Sequence, residues 1–227
     1  MNHKENDKLF NRIARDYDKL NRILSLGWHK SWRKNSVEKL SLNENSVILD
    51  IATGTGDFAV ELLKYNPRIV IGLDPIYIML RQAKIKLSSC RDHFESVAAY
   101  GEKLPFQSET FTHSTISYGI RNADNRSLIY AETIRVLKPG GILGVLEFSK
   151  TRTTIFNLIY NCYFNYVLSI VGGLISGDYK AYRYFSESVN RFPEKKEFIQ
   201  EVTRSGFTFV KSYPMFFGIT TLYIFQK

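Results

Sequence analysis

The stretch VILDIATGTGDFA holds the densest chemistry in the chain. Asp50 closes a short apolar run, Asp57 opens the segment that follows, and Thr53, Gly54, Thr55 and Gly56 lie between them. A second apolar run, IVIGLD, ends on Asp74. A glycine-rich turn after a strand lets backbone amides approach a ligand closely. GTGDFA fits a loose G-x-G-x-x-A and so suggests a dinucleotide, but the charges oppose it. An acid at the end of a second strand suits ribose hydroxyls, whereas two further carboxylates do not suit a pyrophosphate. Like charges ~4 Å apart repel by about 4 kcal/mol at an effective dielectric of 20. A ligand with a ribose, a cationic centre and no phosphate fits better, and S-adenosylmethionine is such a ligand. Asp74 would accept from both ribose hydroxyls, and the loop amides would face the methionine end.

These residues need a frame that brings strand ends together, and the rest of the chain supplies one. Residues 8–40 read as helices, with Leu9, Ile13, Tyr17, Leu20 and Leu24 at helical spacing and a break at Gly27. Strands are expected at 46–51, 69–74, 96–100, 113–118 and 142–149. Helices are expected at 57–65, 76–87 and 127–137, with KPGG (138–141) as a turn. A helix at 194–204 then precedes two strands, 207–213 and 219–226, which read as an antiparallel hairpin. Strands alternating with helices imply an α/β fold with a parallel sheet and right-handed crossovers. Ligands then bind beyond the carboxyl ends of the strands.

Composition bounds the class. The chain has 227 residues, 44% of them hydrophobic, which suits one domain with a sizeable core. Two cysteines, Cys90 and Cys162, form neither a disulfide framework nor a zinc ligand set, so no metal is expected and a reduced cytoplasmic protein is the default. The polar N-terminus lacks the apolar core of a signal peptide. The net charge of +9 is uneven: residues 1–40 carry ten Lys/Arg against five Asp/Glu. Within them WHKSWRK (28–34) sets two tryptophans among basic residues, which suits either an inward-packed helix or contact with a membrane surface.

A run of motifs, in order, carries a resemblance: RDYDKLNRILSLGWHKSWRK, LDIATGTGDFA, LPF, ISYGIRNADN, RVLKPGGILGVLEFSK, YRYFSESVNRFPEKKEF and a later GF. Over about residues 9–207 the chain resembles the demethylmenaquinone and ubiquinone-pathway C-methyltransferases. The glycine loop and VLKPGG are shared by many class I methyltransferases; the N-terminal motif and GIRN are more specific. The resemblance implies a Rossmann-like class I fold, seven-stranded with a reversed last strand. It implies S-adenosylmethionine held by Asp50, Thr53, Gly54, Thr55, Gly56, Asp74, Tyr100, Gly101 and Ser117. At Tyr100-Gly101 the family usually has Asp-Ala or Asn-Ala, whose acid or amide would meet the adenine amine; tyrosine could stack on the purine instead. His113 and Tyr118 also depart from the pattern and read as packing changes.

The implied reaction is methylation of a ring carbon beside a hydroxyl on a reduced quinone. Deprotonating that phenol pushes electron density onto the carbon, and in-line positioning supplies much of the rest. Arg121 and Asn122 would be displayed where the fourth strand ends. Arginine stays protonated, so Arg121 would stabilise the phenolate rather than act as a base, unless it is spent on a salt bridge to Asp124 or a neighbouring acid. Asn122 would orient the hydroxyl, and Tyr17 would donate a hydrogen bond from the covering helices. His29 has a suitable ordinary pKa but reads chiefly as packing. Arg121→Ala is expected to abolish transfer and spare cofactor binding.

A nucleic-acid methyltransferase is the rival the charge suggests. The Asn/Asp-Pro-Pro-aromatic motif of amino-methylating enzymes is missing after the fourth strand, and neither cysteine sits in a suitable loop. A binding module that has lost activity, and an enzyme for another lipophilic small molecule, stay open. The uncharged stretch 155–177 is long enough to span a bilayer. However, Asn157, Asn161 and Asn165 line one face of it, and glycines 172, 173 and 177 would fray its end. It reads as a helical lid giving a polyprenyl quinol an apolar path, in transient contact with the membrane surface. The expected organisation is a single methyltransferase domain, 1–227: covering helices (1–42), cofactor core (43–150), lid insertion (151–192), and terminal helix and hairpin (193–227). No nucleic-acid partner is expected, the place is the cytoplasm at the inner face of the membrane, and the resemblance allows a homodimer.

Overall fold

The computed structural model describes residues 3–25, 27–149 and 179–227; the lid expected at 155–177, and Cys162 within it, lie outside these residues. Three helices come first: α1 (His3–Ile13), α2 (Tyr17–Leu24) and α3 (Trp28–Val37). A 3-10 turn at Ala14–Asp16 separates the first two, and Gly27, at φ 81°, turns the chain into α3. The alternation follows with β1 (Val47–Ile51), α4 (Asp57–Leu63), β2 (Ile69–Leu73), α5 (Tyr77–Lys86) and β3 (Phe94–Val97). It continues through β4 (Phe111–Ser117), α6 (Arg126–Val136) and β5 (Leu137–Phe148). After the undescribed stretch come α7 (Tyr179–Arg191), α8 (Lys195–Arg204), β6 (Thr208–Met215) and β7 (Thr220–Gln226).

The seven strands form one sheet in the order β3-β2-β1-β4-β5-β7-β6. β1 pairs in parallel with β2 and β4, and β7 runs antiparallel between β5 and β6. The expected terminal hairpin is therefore present, with the last strand reversed. Both faces of the sheet are covered, so the strands read as continuous apolar runs. Leu49 and Ile51 pack on one side with Ile129, Tyr130, Phe198 and Val202; Ile48 packs on the other with Trp32, Phe58, Leu62 and Ala83.

Two boundaries near the cleft and the sheet's centre depart most from the sequence reading. β3 pairs with β2 only as far as Val97, opposite Leu73, because β2 is five residues long; Ala99 and Tyr100 are released into a loop. The KPGG turn lies inside β5 as a bulge: Leu137 still pairs with Phe111 before Ile142 meets His113. Gly140, at φ 76°, supplies the left-handed residue the bulge needs.

Candidate active site

Asp50, the penultimate residue of β1, is fully buried. Thr53 donates to its Oδ2 and Thr115 to its Oδ1, each at 2.7 Å. Burial lifts this carboxyl to about 6, against the two hydroxyl bonds. Asp50 and Thr53 thus brace the glycine loop from beneath and do not line the cleft. Above them the chain passes through left-handed Ala52 (φ 57°), Gly54 (φ 56°) and Gly56 (φ 82°). The Gly54 amide donates to Asp74 Oδ2 and the Ile76 amide to Asp74 Oδ1, both at 2.9 Å. Asp74 is likewise pushed up to about 6, chiefly by burial. Each of its oxygens retains acceptor capacity beyond one amide.

Thr55, expected at the cofactor, turns its side chain to the covering helices instead, and Gly56, also expected there, packs against α5. Thr55 Oγ1 donates to Asp18 of α2, and Lys86 joins Asp18, Asp57 and Thr55 from α5. A Cβ on Gly56 would stand 3.1 Å from Ala83 Cβ, so this glycine also lets α4 sit close to α5. Burial raises the Asp57 carboxyl, but Arg33 and Lys86 outweigh it and hold it below the ordinary value. Asp57 is therefore an ion-pair centre at the start of α4.

The cleft that remains lies open to solvent at the carboxyl ends of β1, β2 and β4. Gly54, Asp74, Tyr100, Gly101, Ser117, Tyr17 and Asn122 all line it. So do residues the sequence did not single out: Asn6, Asp7 and Phe10 of α1, Met79 of α5, and Gly119. A Cβ on Gly119 would fall 2.5 Å from Ala52 Cβ, so only glycine lets the loops after β1 and β4 approach each other. Ser117 Oγ and Asn6 Oδ1 are buried without a hydrogen-bond partner among the described residues. Orphaned buried polar atoms in a native cleft call for a polar ligand. A carboxylate with spare acceptor capacity, loop amides and two orphaned groups fit a nucleoside with an amino-acid arm. That is the chemistry of S-adenosylmethionine.

Next to this cleft lies a polar recess open to solvent, and Asn6, Asn122 and Ala123 line both. Asn6 Nδ2 donates to the Asn122 carbonyl at 2.9 Å, and Tyr184 of α7 donates to Asn122 Oδ1 at 3.0 Å. Arg121 lines the recess, not the cleft. Its Nη1 meets Glu147 Oε1 at 2.8 Å and donates to the Tyr118 carbonyl; its Nε reaches Ser188 Oγ at 3.3 Å. The acid that pairs with it is thus Glu147 at the end of β5, not Asp124. Glu147 is fully buried, which raises its carboxyl, while Arg121 opposes that rise. Burial also raises the Tyr17 hydroxyl, with Arg121 pulling it down, so the two sites feel each other's charge. His29 is buried, bonds Ser25 Oγ through Nδ1 and is lowered to about 4 by burial: it packs α2 against α3 as a neutral ring. His113 bridges Thr112 to the Leu40 carbonyl, and the Tyr118 hydroxyl bonds Thr220, so both departures from the family pattern are packing contacts.

A parallel sheet with a reversed last strand, a glycine loop after β1 and an acid after β2 define a class I methyltransferase. Solved structures agree at the level of the fold. A possible histamine N-methyltransferase from Thermotoga maritima aligns with a TM-score of 0.67 and 19% identity over 97% of this chain and 99% of its own. A putative methyltransferase from Bacillus halodurans aligns at 0.62 and 22% over 80% and 71%. The chain belongs to the ubiE/COQ5 methyltransferase family, which it matches over residues 1–227. Among its relatives, the ubiquinone/menaquinone biosynthesis C-methyltransferase UbiE of Syntrophotalea carbinolica is 44% identical over 95% of this chain and 91% of its own. The demethylmenaquinone methyltransferase of Deinococcus radiodurans is 35% identical over 97% and 91%. The mitochondrial 2-methoxy-6-polyprenyl-1,4-benzoquinol methylase of Caenorhabditis elegans is 34% identical over 95% and 77%. Family and fold imply S-adenosylmethionine as the methyl donor.

Proposed function

We propose that the chain methylates a ring carbon of a polyprenylated quinol: demethylmenaquinol, the corresponding ubiquinone-pathway benzoquinol, or both. The observation that carries this reading is Asn122, which stands on the wall shared by the cofactor cleft and the polar recess. A quinol ring entering from the recess meets the cofactor there. When bound, S-adenosylmethionine supplies an electrophilic methyl on a sulfonium. Asp74 would take the ribose hydroxyls and Gly54 would crowd the methionine arm. Ser117 Oγ would satisfy its bonding on the cofactor. Asn122, held by Asn6 and Tyr184, would orient the phenol hydroxyl. Arg121 would act through its field, favouring the phenolate without taking the proton; Glu147, buried behind it, has no route to the substrate, so the proton leaves on water.

Among the described residues no helix is long and apolar enough to cross a membrane. A polyprenyl substrate nonetheless requires access to lipid, and we place the protein at the inner face of the membrane in transient contact with it. Trp28, 48% exposed beside exposed Phe216 at 5.1 Å, with Lys30 and Lys34 on the same helix as Trp28, supports that placement. Incubation of the purified chain with S-adenosylmethionine and demethylated quinols in vesicles should yield ring-methylated product. Cofactor binding with no transfer to any quinol would overturn the substrate assignment.

A further inference from the structure

Tyr100 and Asp7 meet at the edge of the cofactor cleft, and both line it. The Tyr100 hydroxyl donates to Asp7 Oδ2 at 2.5 Å. Its pKa is raised to about 12, first by that bond, so it remains the donor and Asp7 the acceptor. Asp7 belongs to α1, whose neighbouring residue Asn6 is pinned to the loop after β4 through the Asn122 carbonyl. The carboxylate is thus held at both its base and its tip. Nothing in the Arg121, Asn122 and Asp74 arrangement uses it.

Its position relative to Asp74 gives it a task. With the ribose on Asp74, and the glycine loop on the other side, a base must run into the slot between α5 and the loop after β3. Ile76, Met79, Tyr100 and Gly101 all line this part of the cleft. Gly101 keeps its floor flat: a Cβ there would stand 3.1 Å from Ile51 and 3.3 Å from Ile129. The slot is apolar and suits a flat ring. The amine of adenine lies on the edge remote from the ribose and must find an acceptor where the slot opens. Asp7 offers one: Oδ2 is occupied by Tyr100, and among the described residues Oδ1 is left for the base.

We propose that Asp7, positioned by Tyr100, reads the exocyclic amine of the cofactor's base, so that the first helix completes the cofactor site. The proposal rests on the methyltransferase reading above. Glu102 also lines the cleft, but its Oε1 lies toward the Asn125 amide at the start of α6; Asp7 is the acid tied to the slot.

The test compares S-adenosylhomocysteine with S-inosylhomocysteine, in which a carbonyl replaces the amine, by calorimetry on the full chain. A hydrogen bond to a charged group is worth roughly tenfold or more in affinity. The unaltered chain is expected to prefer the adenosyl ligand by about that factor. Asp7→Ala should lose the preference. Asp7→Asn should lose it too, because an amide can present either its donor or its acceptor edge. Tyr100→Phe should shrink it, and Glu102→Gln should leave it in place. The ratio of the two affinities reports recognition of the base, which a loss of helix packing would not alter. If Asp7→Ala binds both ligands with the unaltered ratio, the proposal fails and the methyltransferase reading stands. If the unaltered chain binds neither, both fail.

Discussion

Arg121→Met tests whether this arginine is chiefly a partner for Glu147. The Nη1–Oε1 separation of 2.8 Å corresponds to a Coulomb attraction of about 6 kcal/mol at an effective dielectric of 20. The loss on removing Arg121 is capped below that, because Glu147 can take up a proton instead. From its ordinary value of 4.5, neutralising it costs at most about 3.4 kcal/mol at pH 7 and about 0.7 kcal/mol at pH 5, and less because burial already raises it in the intact pair. The lost bonds to Tyr118 and Ser188 add roughly 1 kcal/mol at either pH. The expected destabilisation is thus at most about 4 kcal/mol at pH 7 and about 2 kcal/mol at pH 5. The larger figure matches the usual cost of breaking a buried pair, ~3–5 kcal/mol. Urea denaturation at both pH values measures it. The sign follows from burial: without its partner Glu147 titrates even higher, so the penalty grows as pH rises. Arg121→Met with Glu147→Leu should recover most of the loss. A urea midpoint unchanged at pH 7, with turnover abolished, would show that Arg121 serves the reaction alone and that the pair carries no structural weight.

Three further outcomes follow from the same geometry. Asp74 sits near 6 because burial disfavours its charge, and ribose hydroxyls bond the charged form. Affinity for S-adenosylhomocysteine should therefore rise as pH increases through about 6 and flatten above it, with up to tenfold per unit below. Calorimetry from pH 5 to 8 would refute this if affinity were constant. Asp50 is lifted similarly, so the folded state favours its protonated form. Its contribution to stability is full at low pH and is lost as pH rises from about 4 to about 6. Asp50→Asn, which can still accept from one threonine and donate to the other, should gain up to about 3 kcal/mol at pH 8 and little at pH 4, read as a melting shift present only at the higher pH. Gly119→Ala places a methyl 2.5 Å from Ala52 Cβ. It should cost about 1–3 kcal/mol and weaken cofactor binding, which equilibrium unfolding and calorimetry together would detect.

The order of strands and helices was legible because the period of the apolar pattern changes wherever the structure changes. What escaped the sequence was pairing. Ala98, Ala99 and Tyr100 continue the look of a strand, yet β3 stops at Val97, where its neighbour β2 ends. Local pattern offers Arg121 a bridge to Asp124, three residues away, or to a neighbouring acid it does not name. Register names that acid: Ser117 stands opposite Leu146, so Glu147 arrives beside the exit of β4. The glycine loop was found by its spacing, but spacing does not tell which residues face a ligand. Thr53 turns down to Asp50 and Thr55 turns up to Asp18; of the four loop residues singled out only Gly54 lines the cleft.

The covering helices show why composition was the weaker guide. Their charge excess suggests a solvated or membrane-facing surface, and Trp28 remains consistent with that. Their acids and amides work in the opposite direction. Asn6 bonds the loop after β4, Asp7 the loop after β3, and Asp18 the glycine loop after β1. Each anchor meets a loop from a different strand, and those three loops frame the cleft. A ligand seated there would touch the same loops, so the docking of the helices and the binding of cofactor depend on one set of backbone positions. The N-terminal segment thus frames the cleft together with the glycine motif; Asp18 lies in a motif the sequence displays, whereas Asn6 and Asp7 are ordinary polar side chains outside any.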